Sequence, residues 1–259
     1  MHEGIHITLK AEAVTHIFGM PITNTLLMSW LVMAVLITIG ILVGRNLTKI
    51  PSRLQTFFET VFGFLLNYIE EVLESRTLAL RFFPLIVTLF MFILLGNWMG
   101  LLPGVGSIHV YDRAEAHMVD GATEKASYVY LFHPIATDLN VTLALAVIAF
   151  LVIEFSGFFY LGIRPYLSKF FNFRSPVGFL VGIIELISEF ARLISFSFRL
   201  FGNMFAGKTL ILVAMFFAPY LVPIPLLMYE VLVGFVQASI FALLTLFFIK
   251  LAISPHEAH

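Results

Sequence analysis

Five long apolar stretches constrain the fold of this chain more than any other feature. They cover roughly residues 25–44, 82–102, 139–163, 176–217 and 221–252. Each is long enough to cross a hydrocarbon core of about 30 Å, which takes about 20 helical residues. The 259 residues are 60% hydrophobic and only 12% charged, whereas soluble domains are roughly 45–50% apolar and about 25% charged. The sequence therefore predicts an integral membrane protein and excludes a soluble enzyme or a disordered tail as the leading interpretation.

The charge balance and the cysteine count exclude further classes. The net charge is −1 and there is no basic block, so we expect no binding of nucleic acid. The absence of Cys excludes a disulfide scaffold, a thiolate metal site and a cysteine nucleophile. The His residues do not show the spacing of metal ligands, and no nucleotide loop or catalytic triad is visible. We therefore expect no cofactor and no metal, and we assign the His residues no specific role.

The distribution of basic residues predicts the orientation in the membrane. Lys and Arg follow the first and third spans and precede the second. These residues are Arg45, Lys49, Arg53, Arg76, Arg81, Arg164, Lys169 and Arg174. By the positive-inside tendency they lie in the cytoplasm, as does the C-terminus after Lys250. The N-terminal segment 1–24 and the loop 103–138 are then outside. Because the first apolar stretch is too long for the apolar region of a signal peptide, we expect it to stay as a membrane helix.

Residues 51–76 have a different pattern, which predicts an amphipathic helix. Polar residues and one Gly recur there at spacings of three and four, and apolar residues cover the other side. The recurring positions are Gln55, Glu59, Gly63, Asn67, Glu70 and Glu74. We expect this helix to lie on the cytoplasmic surface of the membrane. The alternative is a solvated helix that docks on a protein partner.

The stretch 176–217 is too long for a straight crossing. A helix of about 40 residues measures roughly 60 Å, twice the thickness of the hydrocarbon core. It must therefore be strongly tilted, and with the stretch 221–252 it forms a long tilted hairpin that turns at Pro219. The predicted fold is all-α and polytopic: one membrane domain over residues 1–259, with five membrane-embedded helices and the amphipathic surface helix.

A polar stripe runs along the stretch 176–217. Its members are spaced by 3, 4, 3, 4 and 4 residues, which places them on one face of an α-helix. They are Glu185, Ser188, Arg192, Ser195, Arg199 and Asn203. A guanidinium at the bilayer centre costs at least about 2.5–3.5 kcal/mol, and it stays charged. The stripe therefore indicates an ion path, and the alternative is a structural Arg that is paired inside the helix bundle.

Polar residues also occur on the other predicted spans. The last helix, opened by Pro225, carries Glu230 and Gln237 on one face together with a Gly. Asp138 and Asn140 stand at the outer end of the third span, where Asp138 either caps the helix or takes up ions. Glu154 lies midway along the same span with no partner nearby in the sequence.

Three sequence motifs give the chain a resemblance to a known family. They are FRLFGNMFAG at residues 198–207, GNWMGLLPG at residues 96–104 and TDLNVTL at residues 137–143. In these motifs the chain resembles subunit a of the rotary F-type ATP synthase, the membrane stator subunit. The resemblance covers nearly the whole chain. It identifies Arg199 with the single essential arginine of that family and Gln237 with a glutamine partner on the last helix. Lys208 and Glu230 depart from the residues that many members carry, which are an acid or His.

The resemblance implies a function without enzymatic activity of its own. The chain would provide two aqueous half-channels that carry protons, with sodium ions as the alternative, to and from carboxylates of a rotating c-subunit ring. Arg199 would separate the half-channels and couple ion flow to rotation and ATP synthesis. Its partners would be the c-ring, b-type peripheral stalk subunits, the remainder of the ATP synthase complex and the lipid bilayer of a bacterial-type plasma membrane.

Two other functional classes were weighed against this one. A secondary ion transporter is expected to show two related halves with broken helices, and the sequence shows no such repeat. A purely structural membrane anchor would not need the polar stripe.

The predicted orientation assigns polar residues to the two half-channels. Glu185, Ser188 and Ser195 are assigned to the cytoplasmic half-channel, and Asp138, Asn140 and Glu230 to the outer one. In an antiparallel hairpin that turns at residues 218–219, Gln237 lies level with Arg199, and Glu230 lies level with Lys208.

We therefore predict that Gln237 contacts Arg199 and that Lys208 pairs with Glu230. A straight helix opposes the second pair, because nine residues place Lys208 on the face opposite Arg199.

Overall fold

The computed structural model describes residues 13–17, 20–45, 52–102, 105, 108–111, 128–170, 176–219 and 221–254. Seven α-helices and two short β-hairpins make up this part of the chain. The helices are α1 Asn24–Arg45, α2 Arg53–Leu73, α3 Arg76–Gly100, α4 Leu139–Leu161, α5 Ile163–Phe170, α6 Pro176–Phe217 and α7 Pro223–Ile253. The antiparallel hairpins join β1 Ala13–Ile17 to β2 Met20–Thr23, and β3 His109–Tyr111 to β4 Tyr128–Tyr130.

The predicted all-α, polytopic membrane fold is confirmed. Four helices of the described part, namely α1, α3, α4 and α7, are long and apolar enough to cross a membrane. The predicted long helix forms without interruption as α6, over the predicted bounds. It differs from those four in carrying five charged side chains, and its embedding in the membrane stays a prediction. The expectation of a single membrane domain over residues 1–259 stays a prediction.

The structure corrects several predicted bounds. α3 begins at Arg76 and not at residue 82, because Ser75 caps the helix through the Leu78 amide at 3.5 Å and Pro84 is accommodated inside it. α4 ends at Leu161 because Gly162 adopts a left-handed conformation, with a φ of 85°. The short helix α5 and the two hairpins were not predicted. α7 begins at Pro223, two residues before the expected Pro225.

The amphipathic helix is the described α2. Its N-cap is Ser52, whose hydroxyl accepts a hydrogen bond from the Gln55 amide at 3.3 Å. It ends at Glu74, which adopts a left-handed conformation and forms a 2.6 Å ion pair with Lys250 at the end of α7. Lys250 thereby lowers the pKa of the Glu74 carboxyl. Pro51, the first residue of the predicted range 51–76, lies outside the described residues.

The chain consists of two compact units. The first unit contains Met1–Ile39, Phe92–Val141 and Phe201–Gln237. Its α3 is joined to α7 by two side chains: Asn97 donates to the Gly234 carbonyl at 3.3 Å, and the Trp98 indole donates to the Val231 carbonyl at 3.0 Å. These bonds satisfy polar groups that would otherwise face an apolar environment.

The second unit contains Gly40–Met91, Thr142–Leu200 and Ala238–His259. Here α4 and α6 pack antiparallel, through a hydrogen bond between Thr142 and Ser197 at 3.2 Å and stacked rings of Phe150 and Phe190 at 6.4 Å. α7 packs on α6 through Phe196, whose ring lies 5.2 Å from Phe241 and 5.7 Å from Phe248. Aromatic contacts therefore hold the polar face of α6 at a defined position within this unit.

Candidate functional site

The polar stripe of α6 opens onto a cavity. The cavity has a volume of about 280 Å³ and lies between α6 and the C-terminal half of α7. Its lining residues are Ser188, Ala191, Arg192, Ser195, Phe196, Arg199, Leu244 and Phe248. Four members of the predicted stripe, two hydroxyls and two guanidiniums, are thus brought together at one opening.

Arg199 is an exposed permanent charge in this cavity. Its Nη2 donates to the Ser195 hydroxyl at 3.4 Å, one helical turn away. Among the described residues, no carboxylate lies within ion-pair distance of its guanidinium. Because Arg does not deprotonate at accessible pH, this positive charge is available to an acidic group that approaches from outside the chain.

Arg192 lines the same cavity, but its charge is matched inside the chain. Its Nη1 lies 2.5 Å from Oε2 of Glu189, and the two side chains are only 12% and 4% exposed. The guanidinium carbon also lies 3.9 Å from the centre of the Phe248 ring, which is a cation–π contact. Glu189 is not a member of the predicted stripe, and the structure makes it the counter-charge of Arg192.

The next turn of α6, within the first unit, meets α7 through amides. Asn203 donates from Nδ2 to Oε1 of Gln237 at 2.6 Å, and Gln237 is only 2% exposed. The predicted contact between Gln237 and Arg199 stays a prediction, since the described hydrogen bonds of these residues go to Asn203 and Ser195.

Glu230 is buried against α6 at Gly207. A Cβ atom on Gly207 would fall on the Glu230 carboxyl group, so the close approach requires the missing side chain. Glu230 is 3% exposed, and its Oε2 has no hydrogen-bond partner among the described residues.

The predicted Lys208–Glu230 ion pair is not formed among the described residues. α6 continues here as an unbroken helix, so the residue that shares the face of Asn203 is Gly207, four positions later. Lys208 is rotated away from Glu230, and its ammonium group contacts Nε2 of His133. The predicted partner of Lys208 was wrong, although Glu230 lies against the adjacent residue, Gly207.

His133 is a residue that the sequence interpretation missed. Its Nδ1 lies 2.8 Å from the Thr137 hydroxyl, which donates to the Pro134 carbonyl at 2.7 Å. This network requires Nδ1 to carry the proton and Nε2 to accept from Lys208. Burial and the Lys208 charge lower the pKa of His133 to about 4, so the ring is neutral at physiological pH. Its spacing in the sequence gave no signal, because its partner lies on α6, 75 residues away.

Asp138 caps α4 and also has a longer-range role. Its Oδ1 accepts from the Asn140 amide at 2.9 Å, which is an N-cap bond. Its Oδ2 accepts from the hydroxyl of Thr25 on α1 at 2.7 Å, and the carboxylate is 5% exposed. The Asn140 side chain is exposed. The helix cap that was one of two alternatives for Asp138 is therefore present.

Glu154 also has a partner that its own helix does not supply. The hydroxyl of Tyr166 on α5 donates to Oε2 of Glu154 at 3.0 Å. Burial and the neighbouring carboxylates of Glu154 and Glu189 raise the pKa of Tyr166. The short helix α5 thus supplies a hydrogen bond to one oxygen of a carboxylate inside α4. Glu185, the first member of the predicted stripe, is half-buried on α6.

Comparison with known proteins assigns the family. A sequence profile of the family described as ATP synthase A chain matches residues 26–250, a range that contains Arg199, Gln237 and Glu230. The chain is 33% identical to ATP synthase subunit a 2 of Syntrophotalea carbinolica over 98% of its own length and 94% of the relative. It is 31% identical to ATP synthase subunit a of Trichlorobacter lovleyi over 98% and 96%, and 32% identical to that of Geotalea daltonii over 86% and 84%.

The chain belongs to the ATP synthase subunit a family. The predicted family is therefore confirmed. With its apolar helices, this membership makes the chain a multi-pass membrane protein and a subunit of the Fo sector of ATP synthase, where ions are transported during ATP synthesis.

Proposed function

We propose that this subunit a conducts ions through two aqueous half-channels, to and from carboxylates on a rotating ring of c-subunits. Arg199 separates the half-channels and couples ion flow to rotation and to ATP synthesis. The ions are protons, with sodium ions as the alternative. The other partners are b-type peripheral stalk subunits and the surrounding bilayer. The N-terminus lies outside and the C-terminus lies in the cytoplasm.

The observation that carries this proposal is the charge of Arg199. The guanidinium is exposed and, among the described residues, its hydrogen bond goes to a hydroxyl; it lines an open cavity on a helix of a membrane protein. Such a charge is costly in a bilayer unless a carboxylate or water compensates it. A ring carboxylate that passes Arg199 would supply this compensation and would be ionised as it does so.

A ring of carboxylates explains why a fixed positive charge couples ion flow to rotation. A protonated carboxyl crosses lipid at modest cost, whereas an ionised carboxylate does not, so each ring site must be loaded with an ion before it leaves the stator. Arg199 would lower the pKa of each arriving carboxyl and release its proton, and it would repel protons that pass directly between the half-channels. Each proton that crosses about 100 mV contributes about 2.3 kcal/mol.

We assign Glu185, Ser188 and Ser195 to the cytoplasmic half-channel. The last two line the cavity beside Arg199, and the first stands on the same helix nearer the cytoplasmic loop. A spacing of 14 residues places Glu185 about 21 Å from Arg199 along the helix axis.

We assign Asp138, Asn140 and Glu230 to the outer half-channel, with Lys208, Asn203 and Gln237 nearby in the first unit. Support comes from two buried polar atoms, Oε2 of Glu230 and Nε2 of Gln237, which have no hydrogen-bond partner among the described residues. Buried polar atoms are normally satisfied by protein groups or by water. Water at these atoms would form part of an aqueous path.

The test is the replacement Arg199→Ala in the complete ATP synthase. It should abolish ATP-driven ion pumping into inverted vesicles while the subunit still assembles. Arg53→Ala is the matched control, because Arg53 is an exposed arginine on α2 and its loss should leave pumping unchanged. Pumping at the wild-type rate by Arg199→Ala would contradict the proposed function. Repeating the assay with and without sodium ions distinguishes the two ions.

A further inference from the structure

Two arginines line the cavity, and within the part of the chain that the structure describes only one of them has a carboxylate at ion-pair distance. Arg192 and Arg199 stand seven residues apart on the same face of α6. Arg192 is ion-paired with buried Glu189, whereas Arg199 is exposed and bonded to the hydroxyl of Ser195. The cavity therefore presents one compensated and one uncompensated positive charge.

The Glu189–Arg192 pair is largely buried within the second unit. The carboxylate is 4% exposed, the guanidinium 12%, and the Phe248 ring covers the guanidinium at 3.9 Å. Glu189 is the carboxylate within ion-pair distance of Arg192 among the described residues. A buried, well-packed ion pair of this kind exerts little net field on its surroundings compared with a lone charge.

Ionisable groups of neighbouring helices lie near the Glu189–Arg192 pair. Tyr166 on α5 is influenced by the charges of both Glu189 and Arg192 and donates its hydroxyl to Glu154 on α4. The contacts Thr142–Ser197 and Phe150–Phe190 set an antiparallel register that puts Glu154 level with Glu185 on α6. The acidic groups thus lie on the Glu185 side of Arg192, away from Arg199.

A second uncompensated arginine would disturb the task proposed for Arg199. Seven helical residues separate the two by about 10 Å along the axis. At the effective dielectric constant of a protein site, a unit charge at that distance changes the ionisation equilibrium of a carboxylate by about tenfold. A ring carboxylate would then be held ionised over a longer path and would reload its proton less readily.

We propose that Glu189 is a positioning residue that masks Arg192, so that Arg199 is the only arginine in the cavity that acts on the ring carboxylate. This inference rests on the proposed function and adds a specificity determinant to it. Glu189 does not contact the ring carboxylate. It acts through Arg192, by cancelling a charge that would otherwise compete with Arg199.

The experiment measures ATP-driven pumping in inverted vesicles that contain the complete ATP synthase. Glu189→Gln keeps the shape of the side chain and a hydrogen-bond acceptor for Arg192 but removes the charge. It should lower pumping about tenfold and move the optimum about one pH unit towards acid, because an added positive charge lowers the pKa of a ring carboxyl. Arg192→Gln should lower pumping much less, since the remaining Glu189 can become neutral by taking up a proton.

The double variant Glu189→Gln/Arg192→Gln decides between masking and a relay role. Masking predicts that it pumps as well as Arg192→Gln alone, with the wild-type pH optimum. Glu71→Gln, which removes an exposed carboxylate from α2, is the matched control and should not change pumping.

Three results would overturn the proposal. They are wild-type pumping by assembled Glu189→Gln, an unchanged pH optimum in that variant, and a double variant that pumps worse than Arg192→Gln. If Glu189→Gln does not assemble, the comparison of Arg192→Gln with the double variant still decides, because equal pumping supports masking and a further loss excludes it. The Arg199→Ala test is independent: if that variant is inactive while Glu189→Gln pumps normally, only the masking fails.

Discussion

The charged side chains of α6 in this membrane protein have different kinds of partner. Arg192 is paired with a neighbouring carboxylate, Lys208 contacts the ring of His133, and Arg199 has a hydroxyl as its partner in the described part of the chain. Lys208 and His133 form an unusual pair, because a cation beside a buried imidazole favours the neutral ring. Lys208 therefore fixes the protonation state of His133, which donates to Thr137 and accepts from Lys208.

We expect this pair to make stability depend on pH. Burial and Lys208 lower the pKa of folded His133 to about 4, whereas the unfolded residue titrates near 6.5. As the pH falls from about 6.5 to about 4, the unfolded state binds a proton that the folded state does not, so stability declines through that window. Above about pH 6.5 His133 is neutral in both the folded and the unfolded chain, and its contribution to stability is fully present.

The check is thermal unfolding of the detergent-solubilised chain at about pH 7.5 and about pH 5. His133→Gln keeps a polar group near the Nε2 position but does not titrate, so its melting temperature should fall less between the two pH values than that of the wild type. Lys208→Gln should raise the pKa of folded His133, because the positive charge is lost. The pH range over which stability declines should then end at a higher pH than in the wild type. An identical pH dependence in wild type and His133→Gln would contradict this prediction.

At the scale of elements, α6 is an unbroken helix whose neighbours approach it closely at only some of its glycines. Gly182 lies against the backbone of α5, where a Cβ atom would clash with the carbonyl oxygen of Phe170. Gly202 has open space around its Cβ position. Backbone atoms cannot move aside as the end of a flexible side chain can, so the two glycines differ in what they tolerate.

Alanine at these two glycines should therefore change stability in opposite directions. Gly202→Ala should stabilise the chain by up to about 1 kcal/mol, because Ala is the better helix former and meets no obstacle. Gly182→Ala has the same propensity gain but must displace α5, and overpacking of this kind costs about 1–3 kcal/mol. Unfolding of the two variants in detergent measures the difference, and a higher melting temperature for Gly182→Ala would show that α5 does not pack on α6 at this position.

As a whole, the chain is a multi-pass membrane protein. The two sides proposed for the half-channels differ in a way that labelling can detect. The sequence contains no Cys, so a single introduced thiol is the only one in the chain.

Single cysteines should report the sidedness of the two paths. We expect Glu185→Cys to react with a membrane-impermeant thiol reagent only in inverted vesicles, where the cytoplasmic face is outside. Asn140→Cys, whose side chain is exposed at the start of α4, should react only in vesicles of native orientation. Labelling of position 185 from the outer face alone would reverse the orientation inferred from the basic residues.

Much of this protein is determined by its sequence alone. Length and apolarity predict the helices and their membrane class, because the hydrophobic effect acts on each stretch independently of its neighbours. Spacing places Arg192 and Arg199 on one face of α6, because the period of a helix is set locally. The motif around Arg199 predicts the family, and the family profile matches residues 26–250, which contain that motif.

Tertiary structure alone decided which polar groups meet. His133 and Lys208 are 75 residues apart, and Glu154 finds Tyr166 on a helix that hydropathy did not reveal. The predicted Lys208–Glu230 pair, which is not formed, shows why the sequence alone does not identify such partners. A hairpin register is predictable to about one turn, but a change of one residue rotates a side chain by about 100° around the helix. Partners between helices are therefore set by packing, and here Gly207, not Lys208, admits Glu230.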